Sequence, residues 1–168
     1  MSAGKVIGEP LCGHNGSVTS VAIKSDGQCV VSYSWDGAIR VWSTSTGMET
    51  MDSLCVYDVG IESIAIGSNS QWIVSGSDGN TIRMWDIPSG KQVREPLHGH
   101  RDPITSVAVS DDCRLIVSTP YDYTVRIWKI SEETAVVMVL RVHTGTVYCV
   151  ALSGDGGRGV SGGSDGAV

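Results

Sequence analysis

An all-β fold, assembled as a tandem array of small antiparallel sheets, is what this 168-residue chain predicts, and three observations carry the prediction. Trp42, Trp85 and Trp128 recur every 43 residues, with Val21, Ile64, Val107 and Val150 and then Ala22, Ala65, Ala108 and Ala151 in the same step. A period of that length is a whole supersecondary unit repeated. Short β-branched runs lie at about 8–12-residue spacing with no helical periodicity. Asp-Gly pairs at 26–27, 36–37, 78–79, 155–156 and 165–166 stand between those runs, where positive φ is wanted.

Taken in order, the chain opens on residues 4–11, whose sequence GKVIGEPL is echoed by GKQVREPL at 90–97. That echo makes 4–11 the outer strand of a preceding repeat. Residues 12–54 form the first repeat, 55–97 the second and 98–140 the third. In the third, Ile104–Val109, Leu115–Ser118 and Thr124–Trp128 are strand-like runs bounded by turn residues, and Ala135–Leu140 supplies a fourth. Four strands per repeat follow. Residues 141–168 are a fourth, truncated repeat. A single sheet of this kind cannot bury both faces, so neighbours must stack on it.

Composition narrows the functional classes. At 41% apolar and 18% charged residues the chain is globular. A net charge of −6 argues against a nucleic-acid groove and against docking on anionic lipid. No apolar run is long enough to span a bilayer, and the opening residues do not resemble a signal peptide. The five cysteines lie in strand-like runs and are odd in number, which favours buried thiols in a reducing, cytoplasmic setting.

Gly13-His14 and Gly99-His100, followed by a strand, a Ser, an Asp and then a Trp six residues on, resemble the WD-repeat family of β-propellers. The stretch from Trp85-Asp86 to His100 is especially close, and the resemblance covers nearly the whole chain. It implies a propeller of four-stranded antiparallel blades, here about four repeats. It also implies a buried tetrad of His, Ser, Asp and Trp in each blade. That tetrad maps to His14, Ser32, Asp36 and Trp42, and again to His100, Ser118, Asp122 and Trp128. The fourth repeat offers His143, Ser161 and Asp165. The second offers Ser75 and Trp85 but departs from the pattern, with Tyr57 in place of His and Asp78 displaced by one, leaving Gly79 at the Asp position. The variant style also resembles the WD-repeat tails of fungal signalling NTPases.

Catalytic readings lose to structural ones. His, Ser and Asp recur in the first and third repeats, as structural units do and a single catalytic triad does not. No G-x-S-x-G elbow is present, and no C-x-x-C or H-x-x-x-H pair proposes a metal site. The glycine run at 154–159 lacks the Lys-Ser/Thr of a phosphate loop. Arg40, Arg83 and Arg126, each two residues before a Trp, read as strand-packing residues. No catalytic residue, metal or cofactor is therefore expected.

Surface recognition remains. In the family, the residue before the tetrad Asp and those three and five after the His point to the loop face that meets partners. Here these are Trp35, Tyr121 and Ser164, with Ser17, Thr19, Gly60, Glu62, Pro103, Thr105, Thr146 and Tyr148. Exposed aromatics supply large contact area at little entropic cost, which singles out Trp35, Tyr121 and Tyr148. The expected function is a non-catalytic scaffold binding proteins or peptides. The alternative is the ligand-sensing or autoinhibitory region of a larger signalling NTPase. Propellers have about 4–8 blades, so three outcomes are open: a fragment of a longer array, several chains in one ring, or a strained four-bladed ring. The fragment is the reading preferred, and its bare blade faces imply self-association.

Overall fold

The structure is a computed structural model that describes residues 8–50, 54–55, 60–68, 72–131 and 135–168. The described residues contain strands and turns and no helix. A first sheet holds β1 (Val18–Ile23), β2 (Cys29–Ser34), β3 (Ala38–Ser43) and the two-residue β4 (Leu54–Cys55), in that order. A second holds β5 (Ile61–Ile66), β6 (Trp72–Ser77) and β7 (Ile82–Asp86). The third is β8 (Ile104–Val109), β9 (Leu115–Pro120), β10 (Val125–Ile130) and β11 (Ala135–Leu140), and the fourth pairs β12 (Val147–Leu152) with β13 (Gly159–Gly163). Every pairing is antiparallel.

Four full strands per repeat is an expectation that the second repeat does not meet. Its outer edge is reduced to two isolated bridges, Trp85 with Gln92 and Ile82 with Leu97. Pro96 sits in that segment and has no N–H to donate to a ladder, so the edge cannot run continuously. Residues 8–11, the described part of the leading segment, also form no strand.

Turn chemistry sets the strand ends. In the β1–β2 turn, Gly27 takes φ +68° and donates to Lys24 O at 2.8 Å, while Asp26 Oδ1 accepts the Gln28 N–H at 2.9 Å. In the second repeat the left-handed residue is not the Gly of Asp78-Gly79 but Asn80, at φ +62°. Asn tolerates this conformation better than most non-Gly residues.

The sheets stack so that each first strand faces its successor: β1 lies against β5, β5 against β8, and β8 against β12. Three apolar clusters fill the three gaps. Val31, Ile39 and Val41 of the first sheet meet Ile61, Ile64 and Ile73 of the second. Val74, Ile82 and Met84 then meet Ile104, Val107 and Ile116, and Val117 and Val125 meet Val147. The approach is tight at Gly76, where a Cβ would stand 2.6 Å from Ile104 Cγ2 and 2.8 Å from Val107 Cγ1. A side chain there would hold the two sheets apart.

Serine hydroxyls reinforce the stacking. Ser20 Oγ accepts the Ile64 N–H at 3.0 Å, Ser63 Oγ accepts that of Val107 at 3.1 Å, and Ser106 Oγ that of Val150 at 3.3 Å. Each joins one sheet's first strand to the next. Buried thiols are not the rule: Cys113 is buried, but Cys12 and Cys149 are exposed. The alternating strand pattern leaves the odd face of an end sheet open, which is where Cys149 lies.

Candidate functional site

The polar interior of each sheet is built on one serine. In the first sheet Ser32 Oγ accepts the Trp42 indole N–H at 2.7 Å and lies 2.7 Å from His14 Nε2; His14 Nδ1 is 2.9 Å from Asp36 Oδ2. A carboxylate only accepts, so Nδ1 carries a proton, and the Ser hydroxyl is left to donate to Nε2. The chain Trp to Ser to His to Asp is thereby saturated. Burial pushes the Asp36 carboxyl up, but the Asn15 N–H, the His14 ring and the Ala38 N–H together outweigh it and hold Asp36 below the usual range.

The fourth sheet repeats the arrangement without an indole. His143 Nε2 is 2.8 Å from Ser161 Oγ, and Nδ1 is 3.0 Å from Asp165 Oδ1. Hydrogen bonds from His143, then from the Thr144 and Ala167 N–H groups, pull Asp165 down to about 2. In the second sheet Ser75 Oγ accepts from Trp85 at 2.9 Å. Tyr57 lies outside the described residues.

The third sheet differs. Ser118 Oγ accepts from Trp128 at 2.8 Å and lies 2.6 Å from His100 Nε2. Asp122, expected as the fourth member, does not reach the His. Its Oδ1 accepts from the Thr124 N–H at 3.0 Å and from the Thr124 hydroxyl. The first and fourth sheets carry Ala38 and Ala167 at the Thr124 position, so no hydroxyl competes for the carboxylate there. His100 Nδ1 is consequently buried without a partner. Burial, then the Arg126 charge, push His100 down to about 4, with Asp122 only partly offsetting them.

In the first and third sheets the central serine is buried between its Trp and its His. Ser32 is buried and both its neighbours occupy its hydrogen-bonding capacity. The arrangement has the composition of a hydrolytic triad and none of its access.

A second recurring feature faces solvent. Every first pairing carries a one-residue bulge, between Val18 and Ser20, Ile61 and Ser63, Ile104 and Ser106, and Val147 and Cys149. The extra residues are Thr19, Glu62, Thr105 and Tyr148. A bulge unpairs its residue and re-aims the side chain, typically beside a working surface. Next to it, the first residue after each second strand is pinned by a backbone hydrogen bond: Trp35 N–H to Ser17 O at 3.0 Å, Asp78 to Gly60 at 2.8 Å, Tyr121 to Pro103 at 3.1 Å and Ser164 to Thr146 at 2.8 Å. The four sheets thus present equivalent corners.

The residues at these corners divide into two groups. Trp35, Tyr121 and Tyr148 are 69%, 50% and 59% exposed, and Glu62, Ser17, Ser164 and Asp78 are exposed as well. Thr19 and Thr105 are instead turned between sheets. Thr19 Oγ1 donates to Ile61 O at 3.3 Å, and Thr105 Oγ1 lies 2.7 Å from both Thr119 O and Val147 O. A short hydroxyl on the bulge reaches the neighbouring backbone, whereas Glu or Tyr at the same place overshoots it. Burial, then Asp78, raise the Glu62 carboxyl above the usual range. Sequence reasoning missed the inter-sheet serines, although Ser20, Ser63 and Ser106 keep the 43-residue step.

Comparison with known proteins adds the following. The family model described as WD domain, G-beta repeat matches residues 4–43, 52–86, 90–129 and 134–168. Cross-pathway control WD-repeat protein 2 of Flammulina velutipes is 50% identical over 40 residues, 24% of this chain and 13% of that protein. Small ribosomal subunit protein RACK1 of Caenorhabditis elegans is 47% identical over 47 residues, 26% of this chain and 14% of that protein. Among solved structures, U3-55K superposes with a TM-score of 0.82 at 23% identity, covering 91% of this chain. The RRP9 WD40 repeats give 0.81 at 24%, also over 91%. The chain spans 47% of each of those solved chains, about half their length.

Proposed function

Because the chain belongs to the WD domain, G-beta repeat family, we propose that it acts as a non-catalytic scaffold that binds proteins or peptides through its loop face. The observation that carries this is the set of exposed rings, Trp35, Tyr121 and Tyr148, displayed at or beside backbone-pinned corners of one edge of the array. Large rings held on a rigid frame bury much area while losing little conformational freedom, the pattern of interface anchors. Thr19 and Thr105 drop out of the binding set, since their hydroxyls serve the neighbouring sheet. Trp35, Tyr121, Tyr148, Glu62 and Ser17 remain. The C. elegans relative is named for a place in a ribosomal subunit, a large assembly, which supports a role in assembly without assigning one here.

The test is the triple variant Trp35→Ala/Tyr121→Ala/Tyr148→Ala, with circular dichroism to show that it folds, followed by partner recovery on immobilised protein. Recovery falls to background on this reading. Undiminished recovery by the folded variant removes the loop face as the site.

A further inference from the structure

We propose that the outer edge of the third sheet, strand β11, receives an extended partner peptide whose Asp or Glu carboxylate pairs with the guanidinium of Arg126. This site is separate from the loop face and arises from a gap in the repeat. An Arg stands two residues before each repeated Trp, at 40, 83 and 126, and shares its face of the strand. In the first sheet Arg40 Nη1 donates to Glu49 Oε2 at 2.5 Å, and in the second Arg83 Nη1 donates to Gln92 Oε1 at 2.7 Å. Both acceptors lie directly across from the Trp, in the bridges Trp42 with Glu49 and Trp85 with Gln92. Val137 holds that place opposite Trp128, so the third sheet has the Arg without its acceptor.

Arg126 is placed as Arg40 is. A Cβ on Gly99 would stand 2.9 Å from Arg126 Nη1, and one on Gly13 would stand 3.3 Å from Arg40 Nη1. Both guanidiniums thus lie over the Gly of a Gly-His pair. Among the described residues Arg126 has no hydrogen-bond or ion-pair partner, and its Nε is buried. Its charge comes second only to burial in pushing His100 down to about 4. A partly buried guanidinium without an acceptor gains from a carboxylate, which it can hold through two parallel hydrogen bonds.

The edge beside it decides the form of the occupant. Strand β11 reads AVVMVL, with neither a charge nor a proline, and Val136, Val137, Met138 and Val139 are exposed. It pairs with β10 on one side only. Sheet edges are normally blunted by shortness, Pro or charge. The first sheet's edge strand is two residues long and the second's is reduced to bridges, but this one runs for six residues. An extended segment can therefore add to it through main-chain hydrogen bonds, with side chains supplying selectivity. A side chain on the added strand starts two strand spacings, about 10 Å, from β10, a span that Arg and Glu side chains bridge together. The net charge of −6 gives an acidic segment no long-range pull, so local pairing makes the selection.

The experiment selects peptides from a displayed random library on the full chain, measures synthetic copies by calorimetry and maps them by hydrogen exchange. The expected result is a shared Asp or Glu whose amide counterpart binds at least about tenfold more weakly, with the amides of β11 protected. Arg126→Gln weakens binding as far. Val137→Glu restores the acceptor in place, so it raises the His100 titration and weakens the peptide by the same factor, even where Arg126→Gln does not fold. Val136→Glu, of equal charge on the opposite face of β11, does neither. A library that yields no binder, peptides that share no acidic residue, or binding undiminished by Val137→Glu overturns the Arg126 pairing. Acidic peptides that protect the corners at Trp35 and Tyr121 and leave β11 exchanging belong to the loop face and overturn the edge site. Equal weakening by Val137→Glu and Val136→Glu reduces the effect to added charge.

Discussion

A single hydroxyl decides how each sheet is fastened. Ser118 accepts the Trp128 indole and meets His100, so Ser118→Ala leaves two buried polar atoms without that partner. An unsatisfied buried donor costs about 1–3 kcal/mol, so the variant should lose about 2–3 kcal/mol in urea unfolding while Ser17→Ala stays within about 0.5 kcal/mol. Thr124 is the other decisive hydroxyl. Thr124→Ala should free Asp122 to turn to His100 Nδ1 and raise the His100 pKa from about 4, readable by NMR titration; an unmoved value would show that the carboxylate is held by something else. The sign for stability follows. The unfolded His titrates near about 6.5 and takes up protons before the folded one does, so His100 makes the fold lose stability as pH falls through that value toward about 4. Asp165 works below that: depressed to about 2, it contributes stability above the ordinary carboxylate range that disappears as pH drops through the folded value.

The His, Ser and Trp positions were legible because they repeat with a fixed step; the Asp122 exception was not, because a competitor two residues away has no period. The same limit applies at the scale of strands. Alternating β-branched runs announced the inner strands, whereas the edge of the second sheet, broken at Pro96, was hidden by the expectation of uniform repeats. The bulges left no common compositional mark: Thr stands at two of them, Glu and Tyr at the others. Packing supplies the strand-scale test. Ile64 and Val21 occupy equivalent register, yet Ile64 is buried at 5% and Val21 is 66% exposed. Ile64→Ala should cost about 2–4 kcal/mol and Val21→Ala no more than about 0.5 kcal/mol, compared by denaturant midpoint. Similar losses would mean that the first sheet is covered by something.

That contrast defines the molecule as a whole. Every inner gap joins the trailing face of one sheet to the leading face of the next, and among the described residues one of each is left unmatched. Val18, Val21 and Ile23 are exposed on the first sheet, and Val160 on the fourth, where its register mates Val31, Val74 and Val117 are buried. Apolar patches of several hundred Å2 are rarely left on a monomer. In isolation the chain should self-associate head to tail, with sedimentation velocity showing concentration-dependent species that Val21→Glu/Ile23→Lys dissolves. A monodisperse monomer at every concentration would contradict this.

The bulge has a further consequence for how such a surface changes over time. Its residue stands outside the hydrogen-bond ladder, so the sequence has already placed a hydroxyl, an acid and a phenol at one structural address without disturbing the strands on either side. Specificity can drift there one substitution at a time while the frame is inherited intact.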